Sequence, residues 1–246
     1  MEMLRTIKSL LGYTIRAADG NLGGVNDLYF DDAKWMIRYL VAETESWLPG
    51  RLALIATEAL GRPDRKQKEF PVSLTVETVK QSPTLEADKP VSRQKEEALR
   101  AYFQWPAYWD LAGAAVARKF EPVMPEMAEA LESATQGDQH LQSVNEVLDY
   151  GIQATDGELG HVKDFIVDEH WNVRYIVVDT RNWLPGKTVL VDPQWFCEIS
   201  WSNQTASVDL TQAQIKCSPE FDPNLPIHRK YEEQLYDHYG RPKYWS

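Results

Sequence analysis

Apolar positions along the chain fall into short runs broken by turn residues, and the runs come twice in the same order. "GGVNDLYF" and "HVKDFIVD" mix apolar and polar positions as half-buried strands do. "IRYLVAE" and "VRYIVVD" are rich in β-branched and aromatic residues and predict the next strand of each set. "RLALI" and "KTVLV" predict a third. "DGNLG" and "DGELG" stand before these strands, where Asp-Gly tolerates the positive φ of a tight hairpin. Later in each set the period changes. "SRQKEEALRAYF" and "HRKYEEQLYDHY" carry aliphatic and aromatic residues at helical spacing among charges. The pattern therefore predicts strands followed by a helix, twice.

The two sets superpose. Gly12–Asp32 matches Asp149–Glu169 at an offset of 137 residues; one residue then drops out. An offset of 136 holds from there through "PVSRQKEEALRAYFQWPAYW" against "PIHRKYEEQLYDHYGRPKYW". A constant offset over that length indicates a duplication, and two copies are too few for a solenoid. The expected organisation is a domain at 1–110, a connector at 111–140 and a second domain at 141–246. In the connector Pro122 and Pro125 break any early helix, and "PEMAEALESA" predicts a short one. Short strands spaced by turns predict a small antiparallel barrel or sandwich in each domain.

Between the second and third strands of each copy stands "WLPG". Pro followed by Gly is the signature of a type II turn, because Pro presets φ and Gly accepts a positive one. Trp47 and Trp183 are expected to clamp these corners. Leu48 with Pro49, and Leu184 with Pro185, place apolar residues at turn tips where polar ones are the default. These six residues are the candidate protein-interaction points.

Charge narrows the partners. The chain of 246 residues has a formal net charge of −11. Residues 1–110 carry 15 basic and 16 acidic side chains, residues 141–246 only 9 against 16, so the acidity is concentrated in the second copy. Such a chain repels nucleic acid and anionic membrane unless a local patch overrides the total. One patch exists: "GRPDRKQK" supplies Arg62, Arg65, Lys66 and Lys68 in the first copy alone. Without interleaved aromatics it reads as a solvated loop, with RNA or an acidic partner as the alternative. No run approaches the roughly 18–20 apolar residues that span a bilayer, and "MEMLRTIKSLLGYTI" is too interrupted for a signal peptide. A cytoplasmic protein without membrane insertion is expected. Cys197 and Cys217 read as reduced thiols, with a single bridge as the alternative, and Cys197 in "WFCEISW" reads as a small core residue.

Candidate chemistry is sparse. No histidine recurs at its matched position, and neither His-x3-His nor Cys-x2-Cys occurs, so no metal or cofactor is expected. "DEH" at Asp168–His170 reads as a solvated hairpin tip. No Gly-x-Ser-x-Gly and no acid–base–nucleophile constellation appears, so an enzyme is not expected. Repeated charges carry more information. Arg38 with Asp27 and Glu43, and Arg174 with Asp164 and Asp179, predict a cross-strand ion pair in each copy; proton transfer is the alternative role. The aromatic stretches "YFQWPAYW" and "HYGRPKYW" are expected to fold back as lids, with a partner groove as the alternative.

The pattern "Y.I.A.DG.LG.V.D", followed by "W.(I/V)RY.V..T..WLPG", resembles the PRC-barrel domain. That family is named for the cytoplasmic domain of the photosynthetic reaction centre H subunit, and it also includes a domain of a ribosome maturation factor. The closest resemblance is to bacterial proteins with two such barrels in tandem, and it covers both copies. The resemblance implies a mainly β fold of two tandem antiparallel barrels; the helical spacing adds a short C-terminal helix to each, and the two are expected to pack on one another, as duplicated domains often mimic a homodimer. It implies work through protein contacts: a non-catalytic interaction, scaffold or regulatory module. The residues leave open an RNA- or ribosome-associated factor, a small-ligand or ion-binding regulator using a groove between barrels, and association of copies.

Overall fold

A computed structural model describes residues 4–44, 52–83, 91, 93–109, 141–180 and 187–245. The predicted runs form strands. The first half holds β1 (Arg5–Thr6), β2 (Thr14–Arg16), β3 (Asn21–Asp31), β4 (Met36–Glu43), β5 (Leu52–Ala56) and β6 (Glu69–Pro71). The second holds β7 (Leu141–Ser143), β8 (Gly151–Ala154), β9 (Gly157–Val167), β10 (Val173–Asp179), β11 (Thr188–Val191), β12 (Phe196–Ser200) and β13 (Thr205–Val208). The two helical patterns give the helices Arg93–Phe103 and Arg229–Tyr239. Two short helices, Val76–Lys80 and Gln212–Cys217, have no counterpart in the sequence reading; each starts on a threonine whose hydroxyl accepts a backbone N–H.

The protein is mainly β, in two sheets. One runs β5-β4-β3-β2-β6 with β7 added beside β3, and the other runs β11-β10-β9-β8-β13-β12 with β1 added beside β9. The expectation of antiparallel barrels is corrected in two respects. Neither ladder closes on itself, and the sheets are mixed, because β2 runs parallel to β6 and β8 parallel to β13. The chain leaves β5 through the 3-10 turn Thr57–Ala59 and returns beside β2 in the same direction; Pro193–Trp195 does this in the second half.

Glycine decides how closely β3 meets the end of β4. Gly23 has φ +121°, and a Cβ there would lie 1.8 Å from the carbonyl oxygen of Glu43. Gly160, its equivalent on β9, has φ +136°, with the Asp179 carbonyl oxygen 2.0 Å from the corresponding point. Only a residue without a side chain permits this approach. Beyond it, Ile37 through Ala42 are buried at every position, so β4 is covered on both faces rather than alternating. Tyr39, Val41, Leu54 and Ala56 pack there with Val91, Leu99 and Leu141.

The chain divides into two units, one of residues 11–142 and one of residues 1–10 with 143–246. Residues 4–10, expected with the first copy, thus belong with the second. Arg5 pairs with Val167 and Thr6 with Ile166. The Ile7 N–H donates to the Phe165 carbonyl at 2.9 Å, and the Lys8 N–H to Asp164 Oδ1 at 3.0 Å. Leu4, Ile7 and Leu10 match Leu141, Val144 and Val147 in the repeat. Leu141 and Gln142 in turn belong to the first unit, where β7 pairs with β3 and Gln142 Nε2 donates to Asp32 Oδ2 at 3.4 Å. Each unit is completed by a strand that precedes the other copy.

The ladders of β4 with β5 and of β10 with β11 end at Glu43–Leu52 and Asp179–Thr188. Trp47, Leu48, Pro49, Trp183, Leu184 and Pro185 fall outside the described residues, as does the connector 111–140.

Candidate functional site

The densest chemistry in each unit is a buried polar cluster between β4 or β10 and the long helix. Tyr39 is fully buried, and its hydroxyl donates to Glu96 Oε1 at 2.8 Å while accepting from Arg100 Nε at 2.7 Å. Arg100 also reaches Glu58 at 3.2 Å and the Pro106 carbonyl. In the second unit the Tyr175 hydroxyl donates to Glu232 Oε1 at 2.9 Å, the Tyr244 hydroxyl to the same oxygen at 2.8 Å, and Arg229 approaches Oε2 at 3.2 Å. Tyr39 and Glu96 match Tyr175 and Glu232 in the repeat, so the same link was built twice. Burial first, then the neighbouring carboxylate, push the Tyr39 hydroxyl far above its ordinary range; at Tyr175 burial leads and Tyr236 and Glu232 follow. Neither phenol ionises under physiological conditions, so each acts as a fixed donor.

The copies differ beside this link. Arg100 of the first becomes Tyr236 of the second, and Ala56 becomes Asp192. Tyr236 donates to Asp192 Oδ2, and Trp195 stands edge-on to it with ring centroids 5.5 Å apart. A buried cation on two carboxylates is thereby replaced by a buried phenol on one. Burial raises Asp192 above its ordinary value of 3.8, against the lowering effects of Tyr236, the Gln194 N–H and the charge of Arg174. A carboxyl whose folded pKa is raised costs stability when ionised. The cost is full above the raised value, shrinks as pH falls through it, and is absent below the unfolded value. Wild type should therefore gain stability relative to Asp192→Asn as pH drops from 7 toward 4, read as the difference in urea midpoints. A difference that stays flat with pH would show that Asp192 does not titrate differently on folding.

Arg38 and Arg174 each form an ion pair, but with other acids than expected. Arg38 pairs with Asp31 at 2.9 Å and Arg174 with Asp168 at 2.6 Å. The cause is a β-bulge: Tyr39 faces Tyr29 and Ile37 faces Phe30, so Arg38 is the extra residue and leans toward the strand end. Asp27 faces Val41, three residues from Arg38, or about 10 Å along a strand. Its carboxylate accepts the Leu28 N–H, as Asp164 accepts those of Lys8 and Phe165. Glu43 is exposed at the end of β4, and Asp179 lies 3.8 Å from Lys163. Asp168 is not a solvated tip. It is buried, and it accepts the backbone N–H groups of His170 and Asn172 besides holding Arg174.

The aromatic stretches lie over these arginines. The Tyr108 ring stacks on Arg38 at 3.7 Å and lies 4.7 Å from Arg100; the Tyr244 ring covers Arg174 at 4.2 Å. Cys197 is exposed on β12, an edge strand, rather than in the core; it and Cys217 are unbridged. Arg65, Lys66 and Lys68 are exposed on a tight hairpin closed by the Asp64–Glu69 bridge, and Arg62 is exposed on its stem, between that bridge and the Leu60–Val72 one. The Asp64 carboxylate shapes its tip by accepting the N–H groups of Lys66 and Gln67.

Among the described residues no group of three or more His, Cys, Asp or Glu is placed to hold a metal ion. No described helix is long and apolar enough to cross a membrane. The Tyr–Glu link was missed in the sequence; its signal was the recurrence of both residues 57 positions apart in each copy. Comparison with known family models and with curated proteins finds no match to this chain.

Proposed function

We propose that the protein is a non-catalytic docking module built of two PRC-like β domains, with a protein as its partner. The observation that carries this reading is what the repeated buried acids are used for. Glu96 and Glu232 are each engaged by a phenol and an arginine, and Asp31 and Asp168 by the arginines under the aromatic stretches. The residues both copies share thus form a rigid frame rather than a free acid or base. Both copies also share "WLPG", whose apolar residues serve as the docking points. A cytoplasmic setting is supported by the two exposed, unbridged thiols.

The test is affinity capture from the native cell with wild type and a Leu48→Asp/Leu184→Asp variant whose circular dichroism matches it. Specific proteins held by the wild type and lost by the variant are expected. Retention of the same proteins would remove the corners from the reading.

One observation favours a second reading, a polyanionic partner such as RNA. Among the described residues none of Arg62, Arg65, Lys66 and Lys68 is in an ion pair, so four exposed cations stand on one hairpin against the single exposed carboxylate of Asp64. Arg65→Ala/Lys66→Ala should leave stability within about 0.5 kcal/mol of wild type. If the hairpin binds RNA, the same change should lower the salt dependence of binding by about one to two charges. Unchanged affinity and salt slope would discard this reading.

A further inference from the structure

The strand that completes the second unit precedes the first unit in the chain. Residues 4–10 sit along β9, yet the chain continues from Leu10 into Leu11, the first residue of the other unit. Ile7 and Leu10 are buried to 0% and 1% exposure, and Asp164 receives the Lys8 N–H, so the slot beside β9 is built for a short strand followed by two apolar anchors. The anchoring is compact: two paired residues, two further backbone N–H groups and two side chains. Immediately after the crossing, Gly12 is exposed at φ +74° with no atom within 4 Å of where a Cβ would stand. The Leu10 N–H donates to the Ile7 carbonyl and the Gly12 N–H to the Val25 carbonyl, each at 2.8 Å, so Leu11 alone stands between the bonds of the slot and those of the first unit.

We infer that the β9 slot is a strand-binding site whose other occupant is the segment 4–10 of a second copy of this chain, giving a strand-exchanged dimer. The bonds made in the slot are the same whichever chain supplies the segment. The balance is therefore set by the junction at Leu10–Gly12 and by protein concentration, the conditions under which exchange of an identical element is a low-cost route to dimers. The inference does not depend on the docking reading, since none of the residues it uses belongs to a WLPG corner or to the basic hairpin.

Two measurements decide it, both on the full chain. First, unmodified protein is refolded from urea at low and at high concentration and sized by sedimentation. A dimer formed only at high concentration, and persisting on dilution, is expected; monomer under both conditions overturns the inference. Second, the directly paired residues report whose strand fills the slot. In a Cys197→Ser/Cys217→Ser background, one chain carries Arg5→Cys and another Val167→Cys, and the two are refolded together at high concentration under mild oxidation. A disulfide joining the two chains is expected, since Arg5 and Val167 meet only across β1 and β9. A single chain carrying both changes should close the bond within itself when refolded dilute. A dimer that forms no interchain bond, while the doubly changed chain closes its own, would mean association through another surface and would overturn the inference.

Discussion

Gly160→Ala should unfold the second unit at a urea concentration well below wild type, with a loss of about 3 kcal/mol or more. The added Cβ would stand 2.0 Å from the Asp179 carbonyl oxygen, 2.9 Å from its carbon and 3.1 Å from Thr180 Cα. These are backbone atoms of the end of β10, which cannot swing aside as a side-chain tip can. At φ +136° an alanine would be strained even in open space, and strain of that kind alone costs on the order of 1–3 kcal/mol. Relief requires β9 to separate from β10, breaking the pairing of His161 with Asp179. Gly23→Ala should do the same to the first unit, against the Glu43 carbonyl oxygen. Gly12→Ala, with nothing within 4 Å, supplies the comparison: it carries the positive-φ strain without the collision, and should cost only about 1 kcal/mol. Equal losses for Gly12→Ala and Gly160→Ala would mean that strain alone, and not backbone contact, fixes the glycine.

Removing one member of the first unit's buried cluster should have an effect of the same order. Arg100→Leu removes the Arg100 cation from beside Glu96, which is 1% exposed; breaking a buried ion pair from one side costs about 3–5 kcal/mol. It also removes the cation beneath the Tyr108 ring and the donor to the Pro106 carbonyl, so the aromatic stretch should loosen as well. The second unit suggests a milder replacement. Arg100→Tyr with Ala56→Asp installs the Tyr236–Asp192 arrangement, and it should recover part of the loss seen with Arg100→Leu. Urea unfolding of the three proteins at neutral pH checks both statements. A loss under about 1 kcal/mol for Arg100→Leu would show that the carboxylate finds water or takes up a proton instead.

Much of this fold was legible in the sequence, for identifiable reasons. β3, β4 and β5 and their equivalents announce themselves by apolar runs between turn residues, and the repeat doubles each signal. The two long helices show in the spacing of their apolar residues among charges. What was hidden depends on distant pairing. β1 and β7 are two and three residues long, too short to show a period, and their partners lie in the other copy. Leu4, Ile7 and Leu10 stand at the repeat's offset from Leu141, Val144 and Val147, a match that the sequence reading did not extend to, and nothing local says which sheet receives them. The partners of Arg38 and Arg174 were misjudged because a β-bulge shifts the register by one residue, and bulges leave no reliable trace in composition. The parallel returns of β6 and β13 were missed for a similar reason, since strand direction is set by the excursion before them. Of the candidate site, the repeated arginines and aromatics were visible; the acids that hold them required the three-dimensional register.

The reciprocal placement of β1 and β7 also has a consequence for how the chain must be made. Synthesis runs from the N-terminus, so residues 4–10 leave the ribosome long before β9 exists to receive them. The first unit meanwhile waits for Leu141 and Gln142, and at about 5–20 residues per second the stretch from 110 to 142 takes roughly two to six seconds. During that interval β3 has one edge without its final strand, and the nascent chain carries an apolar segment without its slot. The first unit can thus close once residue 142 has been made, whereas the second must wait for its own strands to receive a segment synthesised before the first copy.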